Sequence, residues 1–173
     1  MFWGEMPMIT LRNAIDEITK TVRETSKTQV GGPFGAFVYK TISKDENDEY
    51  IEVIATGTNR VTDSHDPTAH AEIVAIRNAC KVLNTYDLSD YSIYATGFPC
   101  PMCMGAIIWA GIKNAVYSQT LEDADNIGFK DREMYEGVFS RYIDNNNFIS
   151  VSRIPNAELD DIYNSYKKEG IIY

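Results

Sequence analysis

The stretch Ser92-Ile93-Tyr94-Ala95-Thr96-Gly97-Phe98-Pro99-Cys100-Pro101-Met102-Cys103-Met104-Gly105-Ala106-Ile107-Ile108-Trp109-Ala110-Gly111-Ile112-Lys113-Asn114-Ala115-Val116-Tyr117-Ser118 reads as strand, helix, strand. Ser92 to Thr96 and Asn114 to Ser118 are short runs bounded by turn formers. Pro101 to Ala110 between them is a short helix with proline in its first position. Such alternation implies crossovers and parallel pairing, with cover on both faces of the sheet.

Outward from this unit, Ile73, Ile76, Cys80 and Leu83 form the apolar stripe of a helix over Ala71 to Leu83. Before it, Thr62-Asp63-Ser64-His65-Asp66-Pro67 is dense in turn formers, and Asp66 is placed to cap a helix that Pro67 opens. Ile9, Leu11, Ile15, Ile18 and Val22 predict a helix from Ile9 to about Lys27, which Gly31-Gly32-Pro33 stops. Gly35 to Lys40 and Tyr50 to Thr56 predict a hairpin with a long loop across Ser43 to Glu49. Phe148 to Ser152 adds a fifth strand and Ala157 to about Lys168 a last helix, giving α-β-β-α-β-α-β-β-α in a single domain of 173 residues. Two strand-to-helix turns, near His70 and near Cys100, are where an α/β layer places its sites.

Composition narrows the function classes. The formal charge of −9 repels polyanions, which weighs against a nucleic-acid partner. No apolar run approaches a membrane span, and Met1-Phe2-Trp3-Gly4-Glu5 lacks a positive leader, so a soluble cytoplasmic protein is expected. Three cysteines, two of them in a Cys-x-x-Cys pair, point to a reducing compartment with a metal or redox site. Cys80, within an apolar stripe, reads as a small buried hydrophobe.

The chemistry concentrates in His70-Ala71-Glu72 and Pro99-Cys100-Pro101-Met102-Cys103. One imidazole and two thiolates give Zn2+ three protein ligands and leave the fourth position for water, as a catalytic zinc requires. A closed structural site would need a fourth ligand, and His65 is the one remaining histidine. Residues two apart do not share a helix face, so His70 and Glu72 converge only if a helix begins around them. Cys100 as cap and Pro101 in the first turn repeat that arrangement, so two positive helix ends favour the thiolates. Glu72, beside the metal and unligated, is placed to move protons between water, a ring nitrogen and a departing amine. A purely structural zinc-stabilised binding domain has no use for that carboxylate.

This set of ligands with a non-ligating glutamate resembles the cytidine-deaminase-like superfamily, and within it most the bacterial guanine deaminases. The similarity is carried by Asp66-Pro67-Thr68-Ala69-His70-Ala71-Glu72, by Ala75 to Cys80, by Pro99 to Ile107 with Trp109, and by Asp123-Ala124, Ile127 to Asp131 and Tyr135. It implies a three-layer α/β/α fold with a central mixed sheet of about five strands, and hydrolytic deamination of guanine to xanthine and ammonia. It also implies that Asn59 hydrogen-bonds the purine, that Phe34 and Trp109 line or stack on it, and that Asp131 touches the exocyclic amine and relays protons. The family pattern further implies a homodimer whose C-terminal segment, about 156–173, crosses to the partner and closes its site with Tyr173.

Read without the resemblance, Asn59 is a turn residue, Phe34 and Trp109 are core aromatics, and Asp131 is a surface acid. Two positions depart from the family pattern: Phe98 stands where a glutamate commonly precedes the Pro-Cys pair, and Lys167 to Tyr173 lacks the usual charged neighbours of the terminal tyrosine. Within the superfamily the alternatives are guanosine or another aminated purine or heterocycle, and tRNA adenosine, which the acidic charge disfavours.

Overall fold

The computed structural model describes residues 8–28, 30–139 and 149–169. Along the chain these are β1 (Ile9–Thr10), α1 (Leu11–Lys27), β2 (Gly35–Lys44), β3 (Glu49–Thr58), α2 (Val61–Ser64), α3 (Ala71–Leu83), β4 (Ser92–Gly97), α4 (Pro101–Trp109), β5 (Asn114–Gln119), α5 (Leu121–Asn126), α6 (Asp131–Met134), a π-helical turn (Tyr135–Phe139), β6 (Ser150–Arg153) and α7 (Ala157–Glu169).

The strands form one mixed sheet in the order β1-β3-β2-β4-β5-β6. Pairs from β1 to β4 are antiparallel, whereas β4, β5 and β6 run parallel, joined by the crossovers that the strand-helix-strand reading required. Six strands replace the expected five because Ile9 and Thr10 pair with Ile51 and Tyr50 before the helix starts. Thr10 then caps α1, its hydroxyl accepting from the Asn13 N–H at 3.2 Å. The loop of the first hairpin is shorter than expected. Asp45 Oδ1 accepts from the N–H groups of Asn47 and Asp48, both at 2.9 Å, and this tight turn lets the strands run on to Lys44 and from Glu49.

The strands sort large from small side chains. Phe37, Tyr39, Ile51, Tyr94 and Val116 face α1, against Leu11, Ala14, Ile15 and Ile18. Ala36, Val38, Ala55, Ile93, Ala95 and Ala115 face the other way, against Ala71, Ala75 and Ala79 of α3 and Ile107 of α4. α7 lies on the α1 side, where Leu159 and Ile162 meet Val22. Asn156 donates to Thr19 Oγ1 at 2.9 Å and Gln119 donates to Asp160 Oδ1 at 2.5 Å, which pins the start of α7 to α1 and to the end of β5. Helix cover on both faces gives the three-layer α/β/α arrangement.

Alanines at a helical interval let α3 lie almost on the sheet. The contact closes at Gly57 of β3, where a side chain would meet the Ala71 carbonyl oxygen at 2.3 Å and the Ala75 nitrogen at 2.5 Å. Both are backbone atoms and neither can swing away. Gly57→Ala must therefore lift the first turn of α3, and overpacking of this kind costs about 1–3 kcal/mol. A lowered denaturation midpoint together with weakened metal retention is expected; full stability and metal content in that variant would mean that α3 is free to shift.

Candidate active site

α3 and α4 begin within reach of one another, and each is headed by a residue of the metal-ligand pattern. His70 is the N-cap of α3 and Cys100 the N-cap of α4, both extended, and neither side chain caps its own helix. Pro101 occupies the first turn of α4, as the sequence required. The start of α3 differs from expectation, because Asp66 does not cap a helix opened by Pro67. Its carboxylate is taken up locally by the Thr68 N–H at 2.8 Å and the Thr68 hydroxyl at 2.6 Å. The turn thus formed delays the helix to Ala71, which brings His70 to its tip.

His70, Cys100 and Cys103 offer one nitrogen and two sulfurs, all within 4.8 Å of one another, a set that can hold one metal ion. His70 Nδ1 lies 3.6 Å from Cys100 Sγ. The donor set fits zinc with one position left for water. His65 is not in the cluster: it lies exposed in a left-handed turn after α2, so the closed four-ligand alternative fails among the described residues. Cys80 is half-buried and packs against the core under α3.

Glu72, 7% exposed, lines the same pocket as His70, Cys100, Asn59 and Asp131. Burial and then the charge of Cys100 raise its pKa to about 7, against a smaller opposing effect of His70. Asp131 is raised to about 6 for the same two reasons. Cys100 is lowered to about 4, first by its hydrogen bond with Cys103 and then, against the cost of burial, by His70. Burial works to lower His70, but the bond to Cys100 and its charge, with Glu72 and Asp131 behind them, outweigh it and raise the imidazole to about 9. Cys103, bonded to that thiolate and buried, is pushed far up. Burial and one thiolate together hold back the ionisation of the neighbouring acids.

The remaining groups are placed by short local devices. Asn59 follows β3, and its Oδ1 accepts from the Val61 N–H at 3.1 Å, which fixes the side chain at the pocket wall. Gly31 packs on it so closely that a side chain there would meet the Asn59 carbonyl oxygen at 2.1 Å. Asp131 opens α6 beyond the capping box of Thr120 and Asp123, and Arg132 pairs with Asp125 at 2.8 Å. The Tyr135 hydroxyl donates to the Pro99 carbonyl at 2.6 Å and ties that segment to the ligand loop.

Phe34 lines the pocket as expected, edge-on to Phe129 with ring centroids 5.0 Å apart. Trp109 does not. It is 93% exposed, because it ends α4 while Cys100 and Cys103 lie at the opposite end of that helix. Tyr173 lies outside the described residues. Phe129, visible in the sequence only as part of a matching segment, lines the pocket too, and Phe98, the departure from the family pattern, sits on the wall edge-on to Tyr117 and Tyr135.

The family profile described as the cytidine and deoxycytidylate deaminase zinc-binding region matches residues 10–119. The chain belongs to this family. Its matched segment contains His70, Glu72, Cys100 and Cys103, whereas Asp131 and α7 lie beyond it. The chain is 47% identical over 109 residues to a guanine deaminase of Bacillus subtilis (strain 168), covering 63% of this chain and 64% of that enzyme, just under two thirds of its length. It is 43% identical over 72 residues to a tRNA-specific adenosine deaminase of Buchnera aphidicola subsp. Schizaphis graminum, covering 42% of this chain and 48% of that one. A solved guanine deaminase from Nitrosomonas europaea superposes with a TM-score of 0.72 at 26% identity, covering 97% of this chain and 96% of its own.

Glu72 binds its proton more tightly in the folded chain than at its ordinary value of 4.5, with a pKa of about 7. Its contribution to stability is therefore complete below the ordinary value and is lost as the pH rises through 7. In metal-free protein, Glu72→Gln should leave the melting temperature nearly unchanged at pH 5 and raise it at pH 8, by up to about 3 kcal/mol of stability. Equal effects at both pH values would show that Glu72 does not carry buried charge.

Proposed function

We propose that this protein is a zinc-dependent hydrolytic deaminase of guanine, releasing xanthine and ammonia. The observation that carries the proposal is the buried carboxylate of Glu72, which lines one pocket with His70 and Cys100 of the metal-ligating cluster. The ion, when bound by His70, Cys100 and Cys103, supplies the Lewis acidity that makes water a nucleophile at neutral pH. Glu72 takes one proton from that water and passes it to a ring nitrogen, then takes the second proton from the hydroxyl so added to the ring carbon and delivers it to the departing amine.

Recognition falls to the remaining pocket groups. Asn59 donates through its amide to acceptors on the ring, Asp131 accepts from the exocyclic amine, and Phe34 and Phe129 cover the apolar faces. A carboxylate and an amide together favour a base that shows both donors and acceptors, and an analogue lacking them leaves buried groups unpaired. The likeness to a guanine deaminase supports this substrate, and the formal charge of −9 opposes a tRNA. Free cysteines suit a reducing compartment such as the cytoplasm; no helix among the described residues is long and apolar enough to cross a membrane.

Purified protein incubated with guanine, guanosine, adenine and cytosine should release ammonia fastest from guanine. Faster release from cytosine would overturn the assignment of Asp131, and faster release from guanosine would make the nucleoside the substrate. Glu72→Gln should lower turnover by about 10²–10⁴ with zinc still stoichiometric. Zinc lost along with activity would make Glu72 a ligand.

The same reading has Tyr173 closing the pocket of a second copy; because α7 packs on α1 and on the end of β5 of its own chain, the crossing is confined to the residues after Glu169 and does not take in the whole segment from about 156. An open cleft beside His70, Cys100 and Asp131, flanked by Met102 and Met134, is available to such a tail. Deleting residues 170–173 should depress turnover, and mixing that chain with Glu72→Gln chains should restore part of it, because each swapped heterodimer contains one complete site. No recovery after demonstrated subunit exchange would leave the tail on its own chain.

A further inference from the structure

α7 brings to the pocket wall a polar group that the proposed reaction has not yet used. Tyr163 is 3% exposed, and among the described residues its hydroxyl has no hydrogen-bond partner. Folded chains pair nearly all such groups, so a buried orphan calls for a partner that arrives with function. The hydroxyl rests against Gly97: a side-chain carbon built on that glycine would lie 2.9 Å from the phenol oxygen and 3.5 Å from the Phe34 ring. Gly97 and Phe34 both line the pocket. The phenol oxygen therefore lies within contact distance of the point where a side chain at 97 would begin, beside two residues of the pocket lining.

The ring itself is held. Tyr163 is edge-on to Phe34 at 5.6 Å, Phe34 is edge-on to Phe129 at 5.0 Å, and Phe129 stacks on Tyr166 at 6.1 Å. Two tyrosines of α7 thus back the two phenylalanines that face the ligand. Burial first, then the charge of Glu72, with Tyr94, Asp123 and Asp131 adding to it, keeps the phenol neutral and hence a donor.

A bound purine presents unprotonated ring nitrogens and a carbonyl, whereas Glu72 and Asp131 offer acceptors once ionised. Donors in the pocket are scarcer, and the amide of Asn59 is one. We infer that Tyr163 is a second, donating a hydrogen bond past Gly97 to an acceptor atom of the substrate and so setting its position against Glu72. The inference rests on the proposed function, since it presumes a base with acceptor atoms in this pocket.

Tyr163→Phe keeps the ring and removes the donor. The variant should bind stoichiometric zinc, melt without substrate at the same temperature as the parent or higher, and show a KM for guanine raised about threefold to tenfold with kcat changed less. A packing role alone would do the reverse, lowering the melting temperature and leaving KM in place, and that outcome overturns the inference. Gly97→Ala provides the second arm: its methyl meets the same oxygen, so it should raise KM by itself and add little when combined with Tyr163→Phe. Multiplying effects in the double variant would mean that the two residues act separately, contrary to the inference. Wild-type turnover of guanine is measured first. Its absence overturns the proposed function and this inference with it; normal turnover with unchanged KM in Tyr163→Phe overturns this inference alone.

Discussion

The approach of two helix N-termini to each other is the constraint on which the site depends. His70 and Cys100 sit in the cap positions of α3 and α4, each at the tip of its helix. Their side chains face each other, Cys100 Sγ lying 3.6 Å from His70 Nδ1. The unpaired N–H groups and partial positive charge at both helix ends favour anionic sulfur between them. Holding two helix ends together requires each helix to be fixed along its length. Ala71, Ala75 and Ala79 on one side and Gly57 on the other do this for α3, and the parallel β4-α4-β5 crossover does it for α4.

Charge then explains why these residues belong together. Two thiols and two carboxylic acids share a mostly buried pocket with one imidazole. Burial and then the charge of Cys100 hold Glu72 and Asp131 high, and the bond to Cys100 with its charge, against the effect of burial, lets His70 keep its proton to about 9. A divalent ion held by His70, Cys100 and Cys103 would supply positive charge beside Glu72 and Asp131.

Most of this was legible where chemistry depends on spacing along the chain. Cys-x-x-Cys after a proline places its first sulfur at a helix tip and its second in the first turn, and His-x-Glu does the same at α3. The strand-helix-strand unit was equally plain, because its apolar runs are short and its turns are marked by glycine and proline. What failed was whatever depends on the far end of an element. Trp109 belongs to the same matching segment as Cys100, but a nine-residue helix carries it to the opposite end and into solvent. Asp66-Pro67 looked like a helix start because cap chemistry and turn chemistry use the same side chains; the bond to Thr68 decided for the turn. Tyr163 and Phe129 were out of reach for a third reason. Their contact joins α7 to the residues after α5, and no local pattern reports a contact made across the fold.

The central claim is that water, activated at this cluster and deprotonated by Glu72, replaces the amine of guanine. Reaction of the zinc-loaded protein with guanine in oxygen-18 water, followed by mass spectrometry of the purine product, tests it most directly. The account predicts xanthine carrying one atom of the heavy isotope for each molecule of ammonia released. Guanine recovered intact, or ammonia released without label in the purine, would contradict it.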